Sequence, residues 1–111
     1  MAAARRTIGN RSRRFTLEVP LENPDGFGGV IRTWQPGPLL WGAIEHLSSL
    51  DRVRADRAEA AVTHRVTLRH REGVGETMRL LLGPRRFRIR SAADPDGTRR
   101  ELVCLVEEMR P

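Results

Sequence analysis

The sequence predicts an all-β domain, a small β-barrel or sandwich of about six strands, and three observations lead there. Apolar and polar residues alternate in several short runs. Clusters rich in Gly, Pro, Asn and Asp separate those runs. Only residues 48–61 have the composition of a helix.

The first strand is marked by Phe15, Leu17 and Val19 on one face and Thr16 and Glu18 on the other, and Pro20 is expected to end it. The turn formers Asn23-Pro24-Asp25-Gly26-Phe27-Gly28-Gly29 then lead into a second strand near Val30–Trp34. Pro36-Gly37-Pro38 is expected to break the chain again before a third strand, Leu39–Leu47, which carries Trp41, Ala43 and Ile44. Ser48-Ser49-Leu50-Asp51 offers helix-capping side chains ahead of Arg52–Ala61, but the apolar face (Leu50, Val53, Ala58, Ala61) is thin. A short exposed helix or a long loop between strands three and four is expected.

Alternation returns between Val62 and Arg71, with His64, Val66, Leu68 and His70 on one face and Arg65, Thr67, Arg69 and Arg71 on the other. Glu72-Gly73-Val74-Gly75 turns the chain, and Met78–Leu82 and Arg86–Arg90 pair around Gly83-Pro84, with Phe87 and Ile89 inward. After Asp94-Pro95-Asp96-Gly97, the run Leu102–Val106 is apolar without alternation, which predicts a last strand covered on both sides.

The 111 residues suit one domain, here a barrel over residues 15–111 preceded by a basic arm, residues 1–14. All 20 basic residues are arginine. Five of them lie in residues 1–14, which contain no acid, while the rest of the chain holds 15 arginines against 14 acids. The body is therefore nearly neutral, and the arm is either a contact surface for nucleic acid or an acidic neighbour, or a solvated tail. No apolar run approaches the ~18 residues of a membrane span, and the amino terminus has no secretory apolar segment, so a cytoplasmic product without membrane partners is expected.

The inventory argues against catalysis. His46, His64 and His70 have no ligand spacing for a metal, and His64 and His70 stand roughly 20 Å apart if both lie on one strand. Cys104 sits in an apolar run where a thiol is inert. Gly26-Phe27-Gly28-Gly29 lacks the lysine and following helix of a phosphate loop. Glu107 and Glu108 fall on opposite strand faces and read as solvated. No catalytic, cofactor or metal residues are expected. A small barrel binding nucleic acid is the alternative, using Arg65, Arg69 and Arg71 with Arg86, Arg88 and Arg90 as a basic stripe. Against it, most of the five aromatics, Phe15, Phe27, Trp34, Trp41 and Phe87, are expected in the core rather than exposed for stacking.

The order of landmarks is informative. Asp25-Gly26-Phe27-Gly28-Gly29, Thr33-Trp34, Leu40-Trp41-Gly42-Ala43-Ile44, Thr63-His64-Arg65-Val66-Thr67-Leu68-Arg69, Met78-Arg79-Leu80, Arg86-Phe87-Arg88-Ile89 and Arg100-Glu101-Leu102 follow one another. In this order they resemble the phage head–tail joining proteins (head-closure or stopper proteins) and their gene transfer agent counterparts, over about Phe15 to Glu107. Gly42 stands where alanine is more usual, and the segment before Phe15 is longer than typical.

The resemblance implies a non-enzymatic structural protein of the virion neck, without cofactor, assembled in the bacterial cytoplasm. It implies a homo-oligomeric ring, a hexamer or dodecamer, between portal and adaptor proteins on one side and tail terminator or tail tube proteins on the other. Such a ring closes the channel over packaged double-stranded DNA and docks the tail. The family's channel loop corresponds by position to Ser48–Ala61, which would turn Arg52, Arg54 and Arg57 toward DNA without reading sequence. The competing assignment pairs them with Asp51, Asp56 and Glu59 on a solvated surface. A tail-terminator or other neck protein is a further alternative.

Overall fold

The computed structural model describes residues 12–48 and 62–110. Six strands follow in chain order: β1 (Arg13–Pro24), β2 (Val30–His46), β3 (His64–Arg69), β4 (Arg79–Leu82), β5 (Arg85–Ala93) and β6 (Glu101–Met109). Every neighbouring pair is antiparallel, and the order β1-β2-β3-β6-β5-β4 closes the sheet on itself. Closure leaves one small interior to fill, and alternate residues of all six strands fill it. Phe15, Leu17, Val66, Leu68, Leu80, Leu82, Phe87, Ile89, Leu102, Cys104 and Val106 form one buried cluster, with Leu40 and Ile44 of β2 packed against it.

Two expected breaks are not breaks. β1 runs through Pro20 to Pro24, and β2 runs through Pro36-Gly37-Pro38, so the second and third expected strands are one. The pairing Thr16↔Leu39 is followed by Glu18↔Pro36, which leaves one extra residue on β2. The Pro-Gly-Pro segment is therefore a β-bulge, one of the few places inside a sheet that tolerates proline. A Cβ on Gly37 would lie 2.9 Å from the Leu17 carbonyl oxygen, so the bulge packs closely on β1.

β6 departs from expectation in a different way. Leu102, Cys104 and Val106 point into the core, while Val103 and Leu105 point out and are only partly covered. The apolar run is thus half core and half outer surface, not a strand buried on both sides. The aromatics are also fewer inside than expected. Phe15 and Phe87 are fully buried, but Trp34 is only half-buried, Trp41 is 55% exposed and Phe27 is 94% exposed.

The expected helix or loop, and Arg52, Arg54 and Arg57 with it, lies outside the described residues. Its two ends are held firmly. Leu47 and Val62 are fully buried, the Leu47 N–H donates to the Thr63 carbonyl (3.0 Å), and the Thr63 N–H donates to that of Val106 (2.8 Å). Leu47 and Thr63 are thus tied together at one end of the barrel, beside β6.

Candidate functional site

The outer surface of the barrel is organised by ion pairs rather than by a basic stripe. Arg79 Nε donates to Glu18 (2.5 Å), linking β4 to β1, and Arg65 pairs with Glu45 (3.1 Å), linking β3 to β2. Arg90 pairs with Glu107, and Arg85 grips Glu108 through both Nε (2.8 Å) and Nη2 (3.0 Å), linking β5 to β6. Glu107 and Glu108, expected to be solvated, are thus both held by arginine. Of the arginines proposed for a nucleic-acid stripe, Arg65 and Arg90 are engaged by acids of the same barrel, which weakens that reading.

One end of the barrel gathers the titratable groups. The His46 and His64 rings meet edge to face across β2 and β3 with centroids 5.0 Å apart, and His64 packs likewise on Phe87 at 5.3 Å. His64 Nδ1 lies 2.8 Å from Thr63 Oγ1, which also accepts the Glu108 N–H at 2.9 Å. Burial pushes the His64 pKa below its ordinary value, only partly countered by Glu108, while His46 and Arg85 add to the lowering. Glu108 is held below the ordinary carboxylate range, chiefly by the hydrogen bond from Arg85. His70 lies past the end of β3, with its N–H bonded to the Arg100 carbonyl, so it does not share the strand position of His64. Among the described residues no group of three or more His, Cys, Asp or Glu is arranged to hold a metal ion. Cys104 is buried and its pKa is pushed up to about 12 by burial, which keeps the thiol protonated and unreactive.

The most conspicuous surface feature was not legible in the sequence. β1 pairs with β4 only at Thr16–Glu18, and β2 pairs with β3 only from Gly42 onward. Beyond those points the β1–β2 hairpin continues alone, from Val19↔Gln35 to Pro24↔Val30. Six further residue pairs at ~3.3 Å each carry it about 20 Å past the barrel. Its root is fixed by the Arg79 guanidinium, which stacks 4.3 Å from the Trp34 ring centroid while paired to Glu18. Midway, Arg32 and Glu22 pair across the strands at 2.7 Å.

The tip of the hairpin is an ordered turn. Asp25 Oδ1 accepts the N–H groups of Phe27 (2.7 Å) and Gly29 (3.0 Å), and the Asp25 N–H donates to the Gly29 carbonyl (3.1 Å). Gly26 and Gly28 supply the positive φ values (85° and 87°) that this tight path requires. The two donated bonds hold the Asp25 pKa below the usual carboxylate range. This turn displays Phe27 at its apex, and Leu21, Val30 and Ile31 are exposed behind it. Isolated two-stranded hairpins are marginal in water, and exposed apolar patches mark contact sites. The Asp25-Gly26 pair and the following Phe27 were the signal for a turn, but nothing in the local pattern told how far the strands would continue beyond the barrel.

Comparison with known proteins places this architecture. The chain matches the family model described as phage head completion protein over residues 6–109. Among solved structures it is similar to the solution structure of protein SF1141 from Shigella flexneri 2a, with 28% identity over 93% of this chain and 96% of that one and a TM-score of 0.74. It is also similar to a chain from the virion of a native gene transfer agent particle, with 26% identity over 88% of this chain and 94% of that one and a TM-score of 0.67. No curated protein matches.

Proposed function

From the premise that this chain belongs to the phage head completion protein family, we propose that it is the head-closure component that joins head to tail. Membership makes it a structural protein of a phage-type particle, associated with other particle proteins. The finer reading is a homo-oligomeric ring seated between the portal or adaptor and the tail, closing the DNA channel after packaging and presenting the surface on which the tail docks. The observation that carries it is likeness over nearly the full length of both chains to a component of an assembled gene transfer agent virion.

The geometry supports a mechanical rather than a chemical role. The interior is filled by side chains, the single thiol is buried and protonated, and Arg65, Arg79 and Arg85 are engaged by acids across strands. What the barrel offers its surroundings is shape, above all the β1–β2 hairpin that projects beyond it. In this reading Arg52, Arg54 and Arg57 contact the packaged DNA, since phosphate contacts need charge at the right distance and no base recognition. Replacing all three by alanine is expected to leave joined particles but lower their DNA retention; unchanged retention removes these residues from the channel role.

Gold labelling of a carboxy-terminally tagged chain in purified particles tests the placement. Gold at the junction of head and tail supports the reading, and gold elsewhere on the particle, or none, rejects it.

A further inference from the structure

We infer that the β1–β2 hairpin is the ring-forming element: it docks its apolar tip, led by Phe27, onto the outer face of β6 in a second copy of this chain. The inference rests on the ring reading above and names the contact that would build the ring.

Three observations carry it. First, the arm needs a cover. It presents Phe27 at its apex at 94% exposure, Ile31 at 53% sharing one face of the hairpin with Leu21, and Val30 at 62% on the other face. Phe27, Ile31 and Leu21, buried together, would contribute roughly 400 Å², about half of the ~800 Å² per partner of a standard stable interface.

Second, the same chain carries a complementary receptor. Outside β6, an open groove of about 430 Å³ is lined by Ala93, Pro95, Val103 and Leu105 and, among its polar residues, by the Arg65–Glu45 ion pair. Val103 and Leu105 are the outward half of the apolar run that the sequence suggested would be covered on both sides. A large aromatic side chain and one or two aliphatic neighbours fit a groove of that size.

Third, donor and receptor cannot meet within one subunit. The groove lies on the barrel wall formed by β3, β6 and β5 with Glu45 of β2, whereas the paired strands hold the tip about 20 Å beyond the barrel. Docked between copies by one repeated rotation, arm and groove make a head-to-tail contact, which closes into a ring when the rotation permits, whereas a reciprocal two-fold exchange would stop at a dimer.

The chemistry of the arm also favours side-chain docking over strand addition. Pro20 and Pro24 in β1 and Pro36 and Pro38 in β2 remove N–H donors from the strands, and proline sits where a ladder bond is not needed. A partner strand adding to either edge would find donors missing, whereas a groove receiving Phe27 loses nothing. The Asp25 hydrogen bonds hold the tip in one shape before contact, so little ordering opposes docking.

Cross-linking from the tip tests this directly. In Phe27→Cys the new thiol is exposed, while Cys104 is buried and protonated, so a maleimide-benzophenone labels the tip alone. The labelled protein is irradiated at high concentration in purified form and in particles assembled with it, and the adducts are mapped by mass spectrometry. Adducts on this chain's own residues 91–105 support the inference. Adducts only on a different particle protein, or only on other surfaces of this chain, overturn it, as does the absence of adducts in particles that contain the chain. Self-adducts on β6 in purified protein that never enters particles uphold the arm contact while rejecting the head–tail reading, so the two can fail separately. Because labelling enlarges the tip, Val103→Glu is run alongside in otherwise unaltered protein. It is expected to reduce self-association in sedimentation at least tenfold while leaving the melting temperature within a few degrees, and unchanged association rejects the receptor.

Discussion

Gly42 offers a sharp test of how tightly the barrel is packed. It pairs with Arg13 on one side and Leu68 on the other, at the point where β2 joins the closed sheet. A Cβ built there would lie 2.6 Å from Leu68 Cδ2, 3.0 Å from the Thr67 carbonyl oxygen and 3.1 Å from Phe15 Cε2. Two effects oppose each other in Gly42→Ala. Restricting the unfolded chain stabilises by about 0.4–1 kcal/mol when the native backbone accepts the new residue. Overpacking a full core costs about 1–3 kcal/mol. The Leu68 methyl is the end of a flexible side chain, but Leu68 and Phe15 are both fully buried and the third neighbour is backbone, so there is little room to yield. The overpacking term wins, and a net destabilisation of about 1–2 kcal/mol is expected.

For a domain of this size that lowers the melting temperature by roughly 5–10 °C, read by circular dichroism or calorimetry. A double-mutant cycle isolates the cause: Leu68→Val removes the atom of closest approach, so the two substitutions together should cost less than their sum. A Gly42→Ala protein that melts at or above the parent temperature, or a cycle with no coupling, refutes the steric reasoning.

Three further outcomes are expected. Arg79→Ala removes both the ion pair to Glu18 and the stack on Trp34 that fix the root of the arm; stability should fall by about 1–3 kcal/mol in chemical denaturation, with a change in tryptophan emission. Acid should destabilise in two stages. Both folded-state pKa values are lowered, so the stability tied to neutral His64 is complete above about pH 6.5 and declines as pH falls below it, and that tied to ionised Glu108 is complete above about pH 4.5 and declines below that. Glu108→Gln should flatten the lower stage of a melting-temperature profile against pH and deepen the upper one, because it removes the charge that partly counters the lowering at His64. Cys104 should resist thiol reagents in the native protein and react only as fast as the barrel opens, so labelling faster than global unfolding contradicts its placement.

The sequence was legible where period and burial agree. Phe15 and Leu17, Val66 and Leu68, and Phe87 and Ile89 were read as inward-facing from alternation alone, and all are in the core. It misled where prolines fell. Pro20 and Pro36-Gly37-Pro38 carry the usual signal of a strand end, yet here they lie in a bulge and in a hairpin that has left the closed sheet, where a missing donor costs little. It misled again where apolar residues serve an outer surface. Val103, Leu105, Trp41 and Phe27 look like core to any hydropathy rule, and only the closed topology shows them outside. Val103, Leu105 and Phe27 belong to the contact inferred above, so that candidate surface was hidden by the assumption that large apolar side chains face inward. The head–tail role, in contrast, came from the order of landmarks along the chain, and the family match over residues 6–109 upholds it at that level.

The central claim, that this protein joins head to tail, is tested most directly by negative-stain microscopy of particles from a strain lacking its gene. The account predicts heads, filled or leaking DNA, accumulating beside separate and complete tails, with joined particles restored by the gene in trans. Normally joined particles in the deletion strain would contradict it.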